Sequence, residues 1–277
     1  MSRIYNADGR KIADVDRNGA VASIGIEYGR AHDASYYICR IPRYDINGNR
    51  IFPRVALTSA DKTLSGAKVS TLTFAKREDV IFTINAGLFQ MDTAQLTPHG
   101  QTIIDGMSVT NLLDRDSFNA SVSDAECYPL CVDADGNLSS PYAQGVDTAD
   151  MIADGVKYAV TGWGQLIENY AAVTEDKFSD LYTYTTKAPI QVIGQYQNGD
   201  YMIFTCDGVR GSAENEAGMT YAQTAEILLS KGVKYAYVLD GGGSTETVIG
   251  KRQINPIYEG VEGRKVPTVI CFDIAVS

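Results

Sequence analysis

One stretch, residues 198–246, constrains the fold of this chain more than any other. "NGDYMIFTCDG" (198–208) reads as a hairpin turn feeding a strand, 201–206, rich in aromatic and β-branched residues. "GMTYAQTAEILLSKGV" then reads as a helix over 221–231. Thr220 is a good N-cap, and Gln223 three residues on completes a capping box. Tyr221, Ala225, Leu228 and Leu229 fall on one helical face. Lys231 and Gly232 make an ordinary helix end. "YAYVL" (235–239) follows as a strand. Strand, helix and strand at this spacing are most simply a crossover joining two parallel strands. The predicted class is α/β (α+β), a mixed β-sheet with parallel crossover elements flanked by helices.

That geometry has a chemical consequence. Parallel strands end on one sheet edge, so Asp207 and Asp240, each just past its strand, share the edge where ligands of such sheets bind. Asp240 opens the run Gly241, Gly242, Gly243, Ser244, Thr245, Glu246. Three glycines are costly to order. No P-loop lysine follows them. Glu246 occupies the place where a nucleophile elbow needs its last glycine. A bare backbone at a strand end can approach a ligand and turn N–H groups onto an anion; the plain alternative is a turn between strands. Asp207 is followed by Gly208, Val209 and Arg210, which adds a planar cation suited to phosphate beside the carboxylate. An ordinary Asp-Gly turn with a solvated arginine is the alternative there. Asn85 follows the short apolar strand "DVIFTI" (79–84) and opens "NAGLF". It is a turn residue, or a third member of the same edge if its strand runs the same way.

Elsewhere, "ASYYICRI" (34–41) and "TIIDG" (102–106) read as strands, the second ending in a turn. The turn signals "NADGRK" and "DINGNR" make residues 1–55 a β-hairpin-rich N-terminal segment, read as part of the same domain as residues 56–277. "DADGN" (133–137) resembles the start of a calcium loop but lacks the remaining ligands and the glutamate, so it reads as a hairpin turn. The two histidines are His32 and His99. Nothing in the spacing makes His99 the partner of Ser244 in a triad; in the loop-like "PHGQ" it is placed as a pocket-lining residue. Trp163 in "TGWGQLIEN" is a core residue or a sugar platform. The five cysteines are odd in number and contain no C-x-x-C, so they read as buried thiols.

The formal charge is 24 − 34 = −10, with no basic run or stripe, which argues against nucleic acid as a partner. An acidic chain that handles an anion must concentrate its few cations locally. The start "MSRIYNADGRKIADVD" lacks an apolar core, so no signal peptide is read there. No apolar stretch reaches membrane-spanning length. The expected location is cytoplasmic or virion-associated rather than classically secreted.

Read in order, "NAGLF" (85–89), "HGQTIIDG" (99–106), "TGWGQLIEN" (161–169), "APIQVIG" (188–194), "CDGVRG" (206–211), the capped helix and "LDGGGSTE" (239–246) resemble the phosphodiester glycosidase family. Arg264 in "EGRKVPTVICFDI" fits the family's arginine shortly before the last strand. The resemblance covers roughly residues 75–277. Three positions depart from the family pattern: Ile190 stands where an arginine is expected, Val209 displaces Arg210 by one, and Leu88 replaces a phenylalanine. The resemblance implies hydrolysis of a sugar phosphodiester through an oxocarbenium-like state. It implies a phosphate held by Gly241, Gly242, Gly243, Arg210 and Arg264. Asp240, Asp207 or Glu246 would assist attack or stabilise charge, and Asn85, Ser244, Thr245 and His99 would position substrate.

The resulting expectation is a hydrolase cleaving a glycosyl phosphodiester, of an N-acetylglucosamine-like sugar, or a related cell-surface glycan linkage. The rival is a non-catalytic glycan-binding module of a phage tail or cell-surface assembly, favoured by the turn-rich start and by Ile190. No cofactor is required by either reading; a divalent cation is compatible with the carboxylates but not indicated. The partner is a glycan or sugar phosphate.

Overall fold

The capped helix forms where its signals sit. In a computed structural model, α4 spans Tyr221–Ser230, with both halves of the Thr220–Gln223 capping box in place. The structure describes residues 14–91, 95–112, 128–142, 145–173, 185–208, 217–256 and 263–274. Elements are numbered in chain order.

Three sheets build the molecule. A seven-stranded sheet runs in the order β1 (Gly25–Ala31), β2 (Ala34–Ile41), β13 (Tyr201–Cys206), β12 (Ile190–Gln195), β14 (Tyr235–Val238), β10 (Gly164–Glu168), β11 (Ala171–Ala172). A second sheet runs β16 (Arg252–Gln253), β15 (Thr247–Ile249), β4 (Phe82–Asn85), β17 (Thr268–Ile274), β3 (Ile51–Leu57). The third runs β6 (Met107–Asn111), β5 (Gln101–Ile104), β9 (Val156–Val160), β7 (Leu130–Asp133), β8 (Leu138–Ser139). Besides α4, the helices are α1 (Asp14–Ala22), α2 (Thr71–Glu78) and α3 (Thr148–Ala153).

Every strand pairing among the described residues is antiparallel. The architecture is mostly β, and the mixed sheet with parallel pairing expected from the sequence does not form. The reason is β12. It pairs antiparallel with β13 on one side and with β14 on the other. The two strands joined through α4 therefore run in the same direction but never touch. The helix signal marks the crossover; nothing in it records that an earlier strand fills the gap.

Strand alternation divides the core. Ile193 and Ile203 of the first sheet, Ile270 and Phe272 of the second, and Val132 and Val160 of the third point into one shared cluster. The opposite faces carry separate cores. Val192, Phe204 and Val238 pack under α4 through Tyr221, Ala225 and Leu228. Val269 and Cys271 pack with Phe74 and Ala75 of α2. Ile103 and Ala159 pack with Met151 of α3. The central strands of each sheet thus bury both faces, and each fully buried aliphatic or aromatic side chain contributes about 1.5–3 kcal/mol. β2 pairs with β13, and β3, which runs across residue 55, pairs with β17. The signal "NADGRK" lies outside the described residues. "DINGNR" and "DADGN" form matching turns in which Asp45 and Asp133 each accept two main-chain N–H groups, at 2.8 Å. Cys39, Cys131, Cys206 and Cys271 are buried free thiols; Cys127 lies outside the described residues.

Candidate active site

The candidate site forms where the seven-stranded sheet meets the end of β4. Asp240 follows β14, and register places it level with Ile190 and Cys206 across β12. Asp207 lies one residue further on, at the end of β13. The two acids thus share one sheet edge. With one strand between them their backbones stand about 10 Å apart, twice the ordinary strand spacing.

The glycine run turns the chain from β14 into β15 of the neighbouring sheet. A side chain on Gly241 would lie 2.7 Å from the Pro189 carbonyl oxygen, so only glycine fits. Gly242 has φ 58°, the left-handed region that glycine enters freely. A 3-10 turn, Gly242–Ser244, follows. Most of the loop's N–H groups are spent internally. Gly241 N–H donates to Asp240 Oδ1 at 2.9 Å, and Gly242 N–H to the Pro189 carbonyl at 2.9 Å. Ser244 and Thr245 N–H close the turn on Gly241 and Gly242. Among the described residues, only the Gly243 N–H of this run is not so engaged. The loop is therefore less an anion nest than a tight turn that fixes Asp240.

Asn85 closes the turn from behind. Its side chain is 0 % exposed. Nδ2 donates to the Asp240 carbonyl at 2.6 Å, and Oδ1 accepts from Glu246 N–H at 3.1 Å. One amide thus grips both ends of the loop. Asp240 N–H returns a bond to the Ala86 carbonyl at 3.0 Å. Asn255 braces the far side: Nδ2 donates to the Thr245 carbonyl at 3.0 Å, and Oδ1 accepts from Thr247 N–H at 2.9 Å. Beneath lies a buried network. Gln191 Nε2 donates to Thr205 Oγ1 at 3.1 Å, Thr247 Oγ1 donates to Gln191 Oε1 at 3.2 Å, and the two threonine hydroxyls lie 2.6 Å apart. Asn255, Gln191, Thr205 and Thr247 escape a reading of the sequence because their partners come from other strands. The "NP" at 255–256, a turn dipeptide just past β16, is the nearest thing to a signal.

Asp240 and Glu246 flank this turn and Asp207 ends the strand beyond β12, each with its proton held more tightly than usual. Burial pushes Asp240 up to about 6, opposed by the Ser244 hydroxyl, the Arg264 cation and the Gly241 N–H. Burial pushes Glu246 up to about 7, opposed by the Leu72 N–H and by the Thr71 hydroxyl and N–H at the start of α2. Burial alone takes Asp207 to about 7. Asp207 Oδ1 and Glu246 Oε1 are buried without a hydrogen-bond partner among the described residues. Arg264 Nη1 donates to Ser244 Oγ at 3.4 Å, so arginine, serine and Asp240 form one chain of contacts.

The other expected site residues distribute as follows. Thr245 is buried within the turn. His99 is 5 % exposed, and its main-chain N–H donates to the Leu88 carbonyl at 2.8 Å, which fastens its loop to "NAGLF". Arg210 lies outside the described residues. Ile190, in the place of the arginine, is 1 % exposed and packs with Val192, Phe204 and Val238. Trp163 packs partly buried against that same cluster.

The class of the protein, a glycosidase-type hydrolase at family level, comes from comparison with known families. The family model for phosphodiester glycosidases, NAGPA, matches residues 78–273. The chain belongs to the phosphodiester glycosidase family. Among solved structures, the catalytic domain of zebrafish N-acetylglucosamine-1-phosphodiester alpha-N-acetylglucosaminidase, auto-inhibited by its pro-peptide, aligns with TM-score 0.65 at 18 % identity, covering 90 % of this chain and 82 % of that one. A hypothetical protein from Synechocystis aligns with TM-score 0.63 at 14 % identity, covering 92 % and 62 %. At these identities the likeness concerns the fold. The SPbeta prophage-derived uncharacterized protein YomE of Bacillus subtilis (strain 168) is 29 % identical over 203 residues. The chain spans only 29 % of that relative's length, and 72 % of this chain is covered. Among the described residues, no helix is long and apolar enough to cross a membrane.

Proposed function

We propose that the protein hydrolyses a glycosyl phosphodiester, releasing an N-acetylglucosamine-like sugar, with Asp240 as the central carboxylate. The observation that carries this reading is the Arg264–Ser244–Asp240 chain, which sets a cation beside a carboxylate on a rigid turn. In the proposed step, water oxygen bonds to the anomeric carbon as the bond from that carbon to the phosphate oxygen breaks. The proton lost by water passes to Asp240, which at about 6 is mainly ionised at neutral pH and can accept it. The phosphate leaves as a monoester, so it needs little help from an acid. Arg264 and the Gly243 N–H are the groups suited to its charge. Asp207 and Glu246, near 7, are the carboxyls able to carry a proton at neutral pH. Asn85 acts as a positioning residue, since both ends of its amide already hold the loop.

One observation favours a second reading, a binding module without turnover: Ile190 leaves no cation at a position where the family pattern has one. The prophage-derived relative fits a virion-associated role under either reading. A panel of sugar phosphodiesters separates them. Release of free sugar from an N-acetylglucosamine phosphodiester, lost in Asp240→Asn, supports the enzyme. Saturable binding with no product in any member supports the module.

A further inference from the structure

The opposite end of the seven-stranded sheet carries a cavity. Its volume is about 450 Å³, and it lies among β8, β10, the start of β14 and the β12–β13 turn. That is within the size range of pockets that take small ligands, roughly 300–1,000 Å³. Tyr235 lines it, while Asp240 lies five residues further along the same strand direction. Five residues of extended chain span about 17 Å, so this is not the carboxylate site seen from behind.

The floor is pre-built. Gln195 Oε1 accepts from Leu138 N–H at 3.2 Å, and Nε2 donates to the Gly199 carbonyl at 3.1 Å, tying the third sheet to the first. Ser140 Oγ and Tyr235 Oη lie 2.5 Å apart. The wall is polar. Gln165, Glu168, Asn169, Lys234 and Tyr196 line it, and the Arg40 guanidinium, 4.7 Å from the ring centroid, fixes Tyr196. Among the described residues, Glu168 and Lys234 make no ion pair, although both line the same cavity.

The lining decides the ligand class. An apolar ligand would strand these amides and charges without partners. A phosphate or nucleic acid calls for several free cations, whereas of the two that line the cavity Arg43 is engaged by Asn137 Oδ1 and the Asp135 carbonyl and Lys234 shares the wall with the Glu168 carboxylate. A carboxylate, an ammonium and amides around a tyrosine ring match a neutral polyol, whose hydroxyls donate to the first and accept from the second. We propose that this cavity is a second, non-catalytic site for a neutral pyranose unit of a glycan, independent of the carboxylate edge.

The test uses the full chain carrying Asp240→Asn, titrated by two-dimensional amide NMR with N,N′-diacetylchitobiose, cellobiose and maltotriose, and with inorganic phosphate. The proposal expects saturable shifts at 165–169, 195–199 and 234–235 with at least one sugar and none there with phosphate. Adding Glu168→Ala with Gln165→Ala should weaken that binding at least tenfold. In the background with Asp240 intact, the same two changes should leave sugar-phosphodiester turnover, where present, unchanged. Phosphate rather than sugar shifting these amides, no sugar shifting them at 20-fold excess over millimolar protein, or unaltered affinity in the double variant would each overturn it.

Discussion

Asn85 donates its side-chain amide to the main-chain carbonyl of Asp240 at 2.6 Å, although the two residues end strands of different sheets. The same amide accepts from Glu246 N–H, so a single side chain sets the spacing between two of the carboxylates. Asn85→Ala leaves a buried carbonyl and a buried N–H unpaired, a cost of about 1–3 kcal/mol for each group. The expected outcome is a lower denaturation midpoint together with a kcat reduced at least tenfold, the change in KM being smaller. A variant with lowered stability but unchanged kcat would show that Asn85 only holds the fold.

Asp240→Asn removes the proton acceptor while keeping shape. Hydrolysis of an N-acetylglucosamine phosphodiester should fall about 10²–10⁴-fold, the usual contribution of acid–base catalysis. Circular dichroism should remain that of the parent, and the melting temperature should not fall. Full activity in this variant would remove Asp240 from the chemistry.

Arg264 lowers the Asp240 pKa through its charge. Arg264→Ala should therefore move the acid limb of the kcat/KM profile upward in pH. It should also raise KM for a phosphodiester by about 10–150-fold, as expected for loss of a charged hydrogen bond worth about 1.5–3 kcal/mol. An acid limb that stays in place would separate Arg264 from Asp240.

Asp207 gives a prediction about stability. Its carboxyl is raised to about 7 by burial, so the folded state favours the protonated form. Stability from that preference is full below the ordinary aspartate range, near 4, and is lost as pH rises through about 7. Asp207→Asn avoids the loss. Its melting temperature should match the parent at pH 4 and exceed it at pH 8, by about 2–4 °C for each kcal/mol relieved. Equal differences at both pH values would show that Asp207 does not titrate this way.

Gly241→Ala tests the tight turn. The added methyl would meet the Pro189 carbonyl at 2.7 Å, an overpacking that costs about 1–3 kcal/mol and displaces Asp240. Lower stability with a loss of turnover should appear together.

Local signals carried much of this far. The strands 34–41 and 201–206 are legible from side-chain type and turns, and the capped helix from Thr220 and Gln223. Asp207 and Asp240 share an edge as the crossover implies, even though the parallel pairing it suggested is absent. The sheet pairing was not legible because β12 precedes the crossover and slots between its strands by long-range register alone. The glycine run announces a special turn, but not that its N–H groups are consumed by Pro189 and Asp240. Asn255 and Gln191 act through partners that only the assembled sheets bring near.

The position of β17 sets a timetable for the site. β4, which ends at Asn85, lies between β15 and β17, with Asn85 opposite Val269. On a ribosome moving at about 5–20 residues per second, Asn85 is made roughly 10–40 s before the residue that pairs with it. Until then the apolar edge of β4 is open, and the brace that holds Asp240 has no finished sheet behind it. Assembly of the carboxylate edge is thus deferred until β17 has been made, and a chain cut short before residue 268 lacks the frame on which that edge stands.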